Sequence, residues 1–113
     1  MNKMTRAIIE ILDDVDCVIT PDGEAWFSAD GEDYINPDFR LSLPLAKLLQ
    51  ARMRQDGWEI KIYNAIGVCQ ALARRPGETN YKIQSNPLGE NEEPAALHAL
   101  FCKVYDIGVR NEK

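Results

Sequence analysis

The chain has 113 residues, of which 45% are hydrophobic and 27% charged, and its formal net charge is −5. This length fits one domain with one core, and the composition excludes an intrinsically disordered chain. No apolar run approaches the roughly 18 residues of a membrane helix, and the three cysteines form no Cys-x-x-Cys pair, so we expect a cytoplasmic protein that holds no metal and no cofactor.

Residues 1–36 are predicted to form a helix followed by a β-hairpin. The helix is predicted from apolar residues at helical spacing, which are Met4, Ala7, Ile8, Ile11 and Leu12. The Pro21-Asp22-Gly23 turn predicts a hairpin within residues 17–27. Residues 28–39 are rich in turn-forming residues and are predicted to be a loop.

Residues 37–113 are predicted to form an α-β-β-β-α domain. A helix over 44–56 is capped by Ser42 and ended by Gly57, and a second helix covers 92–107 and ends at Gly108. Between them, alternating or apolar runs predict three strands, at 58–63, 68–74 and 81–85, with Tyr81 and Ile83 on the buried face of the third. The predicted fold class is therefore α+β, with a three-stranded antiparallel meander flanked by two helices.

Charge is distributed unevenly along the chain. Residues 1–39 carry 2 basic and 10 acidic side chains, a balance of −8, whereas residues 40–84 carry 8 basic and 3 acidic side chains, a balance of +5. The basic segment has two interpretations: it faces an anionic ligand or partner, or it lies against the acidic N-terminal segment within a monomer or across a homo-oligomer.

Residues 37–105 resemble the phage α-β-α sandwich domain, a family of small proteins encoded by tailed phages and prophages. The resemblance rests on the order and spacing of short motifs: a Pro-Asp-Phe lead-in at 37–39, Gly57-Trp58, the Arg-Pro-Gly-Glu turn at 75–78, Tyr81, and Pro-Ala-x-Leu at 94–97. It implies the fold and a phage or prophage origin, in the cytoplasm of a host cell. It carries over no catalytic residue.

One face of the predicted meander is a candidate binding surface. Strand alternation places basic, aromatic and amide side chains on this face, namely Lys61, Tyr63, Gln70, Arg74, Lys82 and Gln84. Such a surface can contact a phosphate and stack a base. The alternative is that these long polar side chains only cover the wet face of an antiparallel sheet.

Three functions remain open from the sequence. The first is non-catalytic binding of a host or phage protein through this sheet face or through Trp26 and Phe27. The second is sequestration of a small anionic ligand, such as a nucleotide signal in counter-defence, by Arg74, Arg75 and Lys82. The third is a hydrolase built on His98 and Cys102, one helical turn apart. We expect the first, no enzyme activity, and no binding of duplex nucleic acid by this acidic chain.

Overall fold

Three helices and six strands form in the part of the chain that the computed structural model describes. The described residues are 3–12, 16–22, 24–29, 31–35, 37–65, 68–81, 83–85 and 92–107. The contacts divide the chain into two compact units, Met1–Asp38 and Phe39–Lys113. The α+β class predicted from the sequence is confirmed, because helices and antiparallel sheets both form.

The first unit contains one helix and a three-stranded antiparallel sheet. Helix α1 spans Lys3–Leu12 and buries Ile8, Ile9 and Leu12. The strands are β1 (Asp16–Ile19), β2 (Ala25–Ala29) and β3 (Glu32–Ile35), in the spatial order β1-β2-β3.

The prediction of a loop after residue 27 is wrong. Residues 28 and 29 complete β2, and the next four-residue strand pairs with it, with Ala29 opposite Glu32. Gly31, at φ 79°, lies in the tight turn between these two strands. The turn residues therefore close a second hairpin, because a short hairpin turn uses the same residue types as a loop.

The second unit alternates one helix, three strands and one helix along the chain. Helix α2 spans Leu43–Gln55 and helix α3 spans Glu92–Val104. The strands are β4 (Glu59–Ala65), β5 (Val68–Arg74) and β6 (Ile83–Ser85), and β5 lies between the other two. The helices contact each other and both contact the sheet. Because a sheet between them would keep them apart, they lie side by side on one of its faces.

The ends of both helices follow local capping chemistry. The Ser42 hydroxyl accepts a hydrogen bond from the Leu45 N–H at 3.4 Å, as expected of an N-cap. Helix α3 ends earlier than the predicted residue 107, because Asp106 takes a left-handed conformation at φ 57°. The Ile107 N–H then donates to the Cys102 carbonyl at 2.8 Å, which closes the last turn. Gly108, the predicted stop, lies outside the described residues.

The core of the second unit lies between the helix pair and one face of its sheet. Small residues on the sheet, Ala71 and Ala73, let the helices approach closely. The large side chains come mainly from the helices, and the fully buried ones among them are Leu45, Leu49, Met53, Leu97, Leu100 and Phe101.

Replacing Leu49, which is fully buried in this core, tests the packing. We expect Leu49→Ala to lower the free energy of unfolding by about 2–5 kcal/mol, since a cavity adds to the lost transfer energy. Leu41→Ala, the same change at an exposed position, should stay within about 0.5 kcal/mol of the wild type. Urea denaturation measures both. Equal effects of the two substitutions would contradict this core.

Candidate functional site

Three exposed apolar side chains line up across the sheet of the first unit. The register pairs Val18 with Trp26 and Trp26 with Ile35. Residues paired across antiparallel strands project from the same face, so the three form one cross-strand row, which we call the Trp26 row. Their exposed fractions are 63%, 45% and 51%. Large apolar side chains grouped in this way on a surface typically mark an interaction site.

The opposite face of the same sheet is turned inward. Cys17, Phe27 and Tyr34 are paired in the next register position, and Phe27 has no exposed surface. The Phe27 and Tyr34 rings lie 6.3 Å apart, centroid to centroid. Phe27 was a predicted partner-binding residue together with Trp26. That role does not fit its position, because neighbouring strand residues point to opposite faces and Phe27 points into the core.

The strands around the Trp26 row carry a high density of negative charge. Residues 16–35 contain six acidic side chains and no Lys, Arg or His. Asp33 lies two residues before Ile35 in β3 and shares the face of the row. Glu24 lies just before β2, two residues from Trp26. Both are exposed. The Asp33 carboxylate accepts a hydrogen bond from the Ser28 hydroxyl at 2.6 Å, which holds one acid beside the row.

No family model, curated protein or solved structure matches this chain. The resemblance of residues 37–105 to a phage domain family stays a prediction. The case for a function rests on the geometry of the two units.

The second sheet has a polar face opposite the helices, and Arg74 on this face is paired within the protein. The register places Lys61, Tyr63, Gln70 and Arg74 on the face opposite the helices. The side chain of Gln84, also predicted for this face, lies outside the described part of the chain. The guanidinium of Arg74 donates to the Glu59 carboxylate at 2.7 Å and to the Glu78 carbonyl at 3.1 Å. Lys82 lies outside the described residues.

Tyr81 belongs to this polar face and not to the buried face predicted for it. It precedes β6, and its ring is half-buried beneath Arg74 and Lys61, whose charged groups lie 5.1 Å and 5.9 Å from its centroid. Aromatic rings attract cations at this range. The Tyr81 ring and the Glu59 carboxylate therefore both engage the guanidinium of Arg74 within the protein.

Arg75 holds the C-terminal end of α2. Its guanidinium donates to the Asp56 carbonyl at 2.7 Å and lies 4.2 Å from the centroid of the Trp58 ring. Gly57, between them, has φ 95°, and a Cβ added there would lie 3.1 Å from Arg75 Nη1. Arg75, which the sequence predicts to bind an anion, therefore has a structural role at the turn from α2 into β4.

The Asp56 carboxylate joins the ends of the two helices of the second unit. It accepts hydrogen bonds from the Tyr105 hydroxyl and from Arg52 Nε, the latter at 3.4 Å. The Tyr105 hydrogen bond lowers the pKa of the Asp56 carboxyl below its usual value, with the Arg52 charge adding to the effect. Burial and the hydrogen bond to Asp56 raise the pKa of Tyr105 to about 12.

Cys102, the nucleophile of the hydrolase alternative, is buried in α3. Burial raises the pKa of its thiol to about 11. A nucleophilic cysteine needs the opposite shift, because the thiolate is the reactive form. His98, its predicted partner one turn away, is half-buried on the same helix.

No described helix is long and apolar enough to cross a membrane. Among the same residues, no group of three or more His, Cys, Asp or Glu side chains could hold a metal ion.

The sequence reasoning missed Val18 and Ile35 as site residues. The sequence predicts Trp26 as a site residue, but the row needs a strand on each side of β2. The sequence predicts a loop where β3 forms. The signal that would have found them is the pair of tight turns at residues 21–23 and 30–31, since counting outward from each turn places Val18 and Ile35 opposite Trp26.

The hydrogen bond between Tyr105 and Asp56 predicts a stability change at alkaline pH. The pKa of Tyr105 rises on folding from 10.0 to about 12, so its contribution is complete below pH 10 and is lost as the pH rises toward 12. We therefore expect the melting temperature of the wild type to fall toward that of Tyr105→Phe over this range.

Thermal melts followed by circular dichroism measure this difference. Below pH 10 the free energy of unfolding of the wild type should exceed that of Tyr105→Phe by about 1 kcal/mol, the usual net contribution of one hydrogen bond. Tyr63→Phe, at an exposed tyrosine, is the control and should keep the wild-type profile. A constant gap between wild type and Tyr105→Phe up to pH 12 would contradict the assignment.

Proposed function

We propose that this protein acts by non-catalytic binding of a protein partner, and that the Trp26 row is its contact surface. The observation that carries the proposal is the register that aligns three exposed apolar side chains, Val18, Trp26 and Ile35, on one sheet face. A phage or prophage accessory protein that binds a host or phage protein in the host cytoplasm fits this activity. That setting comes from the family resemblance of residues 37–105.

The chemistry of the row favours a protein partner. Trp is among the residues that contribute most to binding energy at protein interfaces, and such residues cluster at the centre of a contact. Trp26 is the middle member of the row, with an aliphatic side chain on either side. Burial of these three side chains by a partner supplies a non-directional driving force in proportion to the apolar area removed from water.

The edges of this sheet bear on how a partner makes contact. The row crosses all three strands of the meander, whose outer strands β1 and β3 have four residues each. Short outer strands carrying acidic residues are poor templates for the addition of another strand. We therefore propose contact through side chains on the face and not through strand addition at an edge.

The two alternative functions have less support. Sequestration of a small anion needs available cations, but Arg74 is engaged by Glu59 and Glu78, and Arg75 by Asp56 and Trp58. A Cys-His hydrolase needs a thiolate, but burial raises the pKa of the Cys102 thiol to about 11.

Substitution of Trp26 tests the proposal. The full chain is immobilised and incubated with a bacterial extract, and retained proteins are compared between the wild type, Trp26→Ala and Tyr63→Ala. Tyr63 is the matched control, because it is an aromatic residue of similar exposure, 51% against 45%, in the other unit. We expect a protein that the wild type and Tyr63→Ala retain and Trp26→Ala loses.

Calorimetric titration of that purified protein gives the magnitude. Trp26→Ala should raise the dissociation constant about 30-fold, equivalent to about 2 kcal/mol. Ile35→Thr, which keeps β-branching and therefore the strand, should weaken binding in the same direction. Melting curves check that each variant is folded. Intact mass spectra of both proteins after incubation should be unchanged, as expected without catalysis.

Two outcomes contradict the proposal. One is a set of retained proteins that is the same for Trp26→Ala and for the wild type. The other is a covalent change in the captured partner that requires this chain.

A further inference from the structure

We infer that the partner of the Trp26 row is a cationic amphipathic protein segment, one that carries Lys or Arg on both sides of a large apolar side chain. The inference rests on the proposed function and adds the chemistry of the occupant. It depends on charge complementarity, because all charged side chains in the strands and turns around the row are negative.

The charge around the row is negative throughout the sheet. Residues 16–35, which span all three strands and both turns, contain six acidic residues and no basic one. An approaching cation is therefore attracted by every charged side chain of this segment. An approaching anion is repelled by all of them.

Two acids are placed to flank the apolar contact. Asp33 lies on the face of the row, two residues from Ile35, which is about 7 Å along the strand. Glu24 is exposed just before β2, two residues from Trp26. On a helix, residues three or four positions apart are separated by about 5–6 Å. A helix with an apolar anchor over Trp26 can thus bring a basic side chain three or four positions away to either carboxylate.

The same charges argue against four other occupants. A second copy of this chain packed row against row would place like charges together, since a two-fold interface brings the same surface to both sides. Nucleic acid and anionic lipid surfaces present phosphates, which the acids repel. A neutral apolar segment would fill the row but supply no cation to pair with the acids.

The test uses defined peptides and the intrinsic fluorescence of Trp26. The chain has two tryptophans, so Trp58→Phe in the full chain leaves Trp26 as the sole reporter. Three synthetic helical peptides share one Leu stripe and differ only in the remaining positions, which carry Lys, Gln or Glu. We expect the Lys peptide to shift the Trp26 emission to the blue and to bind at least about tenfold more tightly than the Gln peptide, with no binding of the Glu peptide.

Charge-neutralising variants locate the effect. Glu24→Gln with Asp33→Asn should weaken binding of the Lys peptide about fivefold, because two exposed ion pairs are lost. Asp33→Asn keeps an oxygen that can accept from Ser28. Glu32→Gln is the matched control, since Glu32 is an acid of the same sheet on the opposite face, and it should change the affinity by less than about twofold.

Two further measurements test the salt dependence of peptide binding and the contribution of the apolar row. Raising the salt from about 0.05 M to about 0.5 M should weaken the Lys peptide strongly and leave the Gln peptide nearly unchanged. Val18→Thr with Ile35→Thr keeps the fluorophore and the β-branching, and it should weaken both peptides.

The outcomes separate this inference from the proposed function. Equal binding of the Lys and Gln peptides, or equal effects of the Glu24/Asp33 and Glu32 substitutions, would overturn the cationic partner and leave the Trp26 row as a protein-binding surface. Two results together would overturn both: the Lys peptide binds the Val18→Thr/Ile35→Thr variant as tightly as the wild type, and the extract yields no protein whose retention depends on Trp26.

Discussion

The pairing register of the first sheet is the constraint on which the proposed contact surface depends. Side chains alternate between the two faces of a strand, so a slip of one residue would exchange every inward and outward position. The observed register buries Phe27 and exposes Trp26, and it aligns Trp26 with Val18 and Ile35. The tight turns between the strands fix this register, in which Phe27 has no exposed surface.

In the second unit, polar groups that look available in the sequence serve the fold. The two helices cover one face of the sheet, and their ends meet where the Asp56 carboxylate accepts from Tyr105. Arg75 closes the turn that follows α2, while Arg74 ties Glu59 to the loop after β5. Basic residues that each make two or more internal contacts are held in place, and a ligand would have to replace those contacts. Arg74 and Arg75 are therefore poorly suited to binding a ligand.

The accuracy of the sequence predictions follows the distance over which each signal acts. Helix α2 was placed within one residue, because Ser42 and Gly57 mark its ends through contacts a few residues long. Strand β3 was missed, since four residues with two acids carry little alternation and their partner lies across a turn. Tyr81 was assigned to the wrong face because it precedes the strand whose alternation was applied to it, and its ring is positioned by Arg74 and Lys61 from two other strands.

The sequence by itself determined the α+β class, the positions of the three helices, the turn residues and the separation of acidic from basic segments. These depend on local periodicity, capping and composition, which are complete within short stretches of chain. Only the tertiary structure decided that Phe27 is buried while Trp26 is exposed, that Val18 and Ile35 join Trp26, and that the two arginines are engaged. Each of these depends on which distant segments pair and which face of a sheet is covered, and the free energy that decides it comes from contacts between residues far apart in the chain.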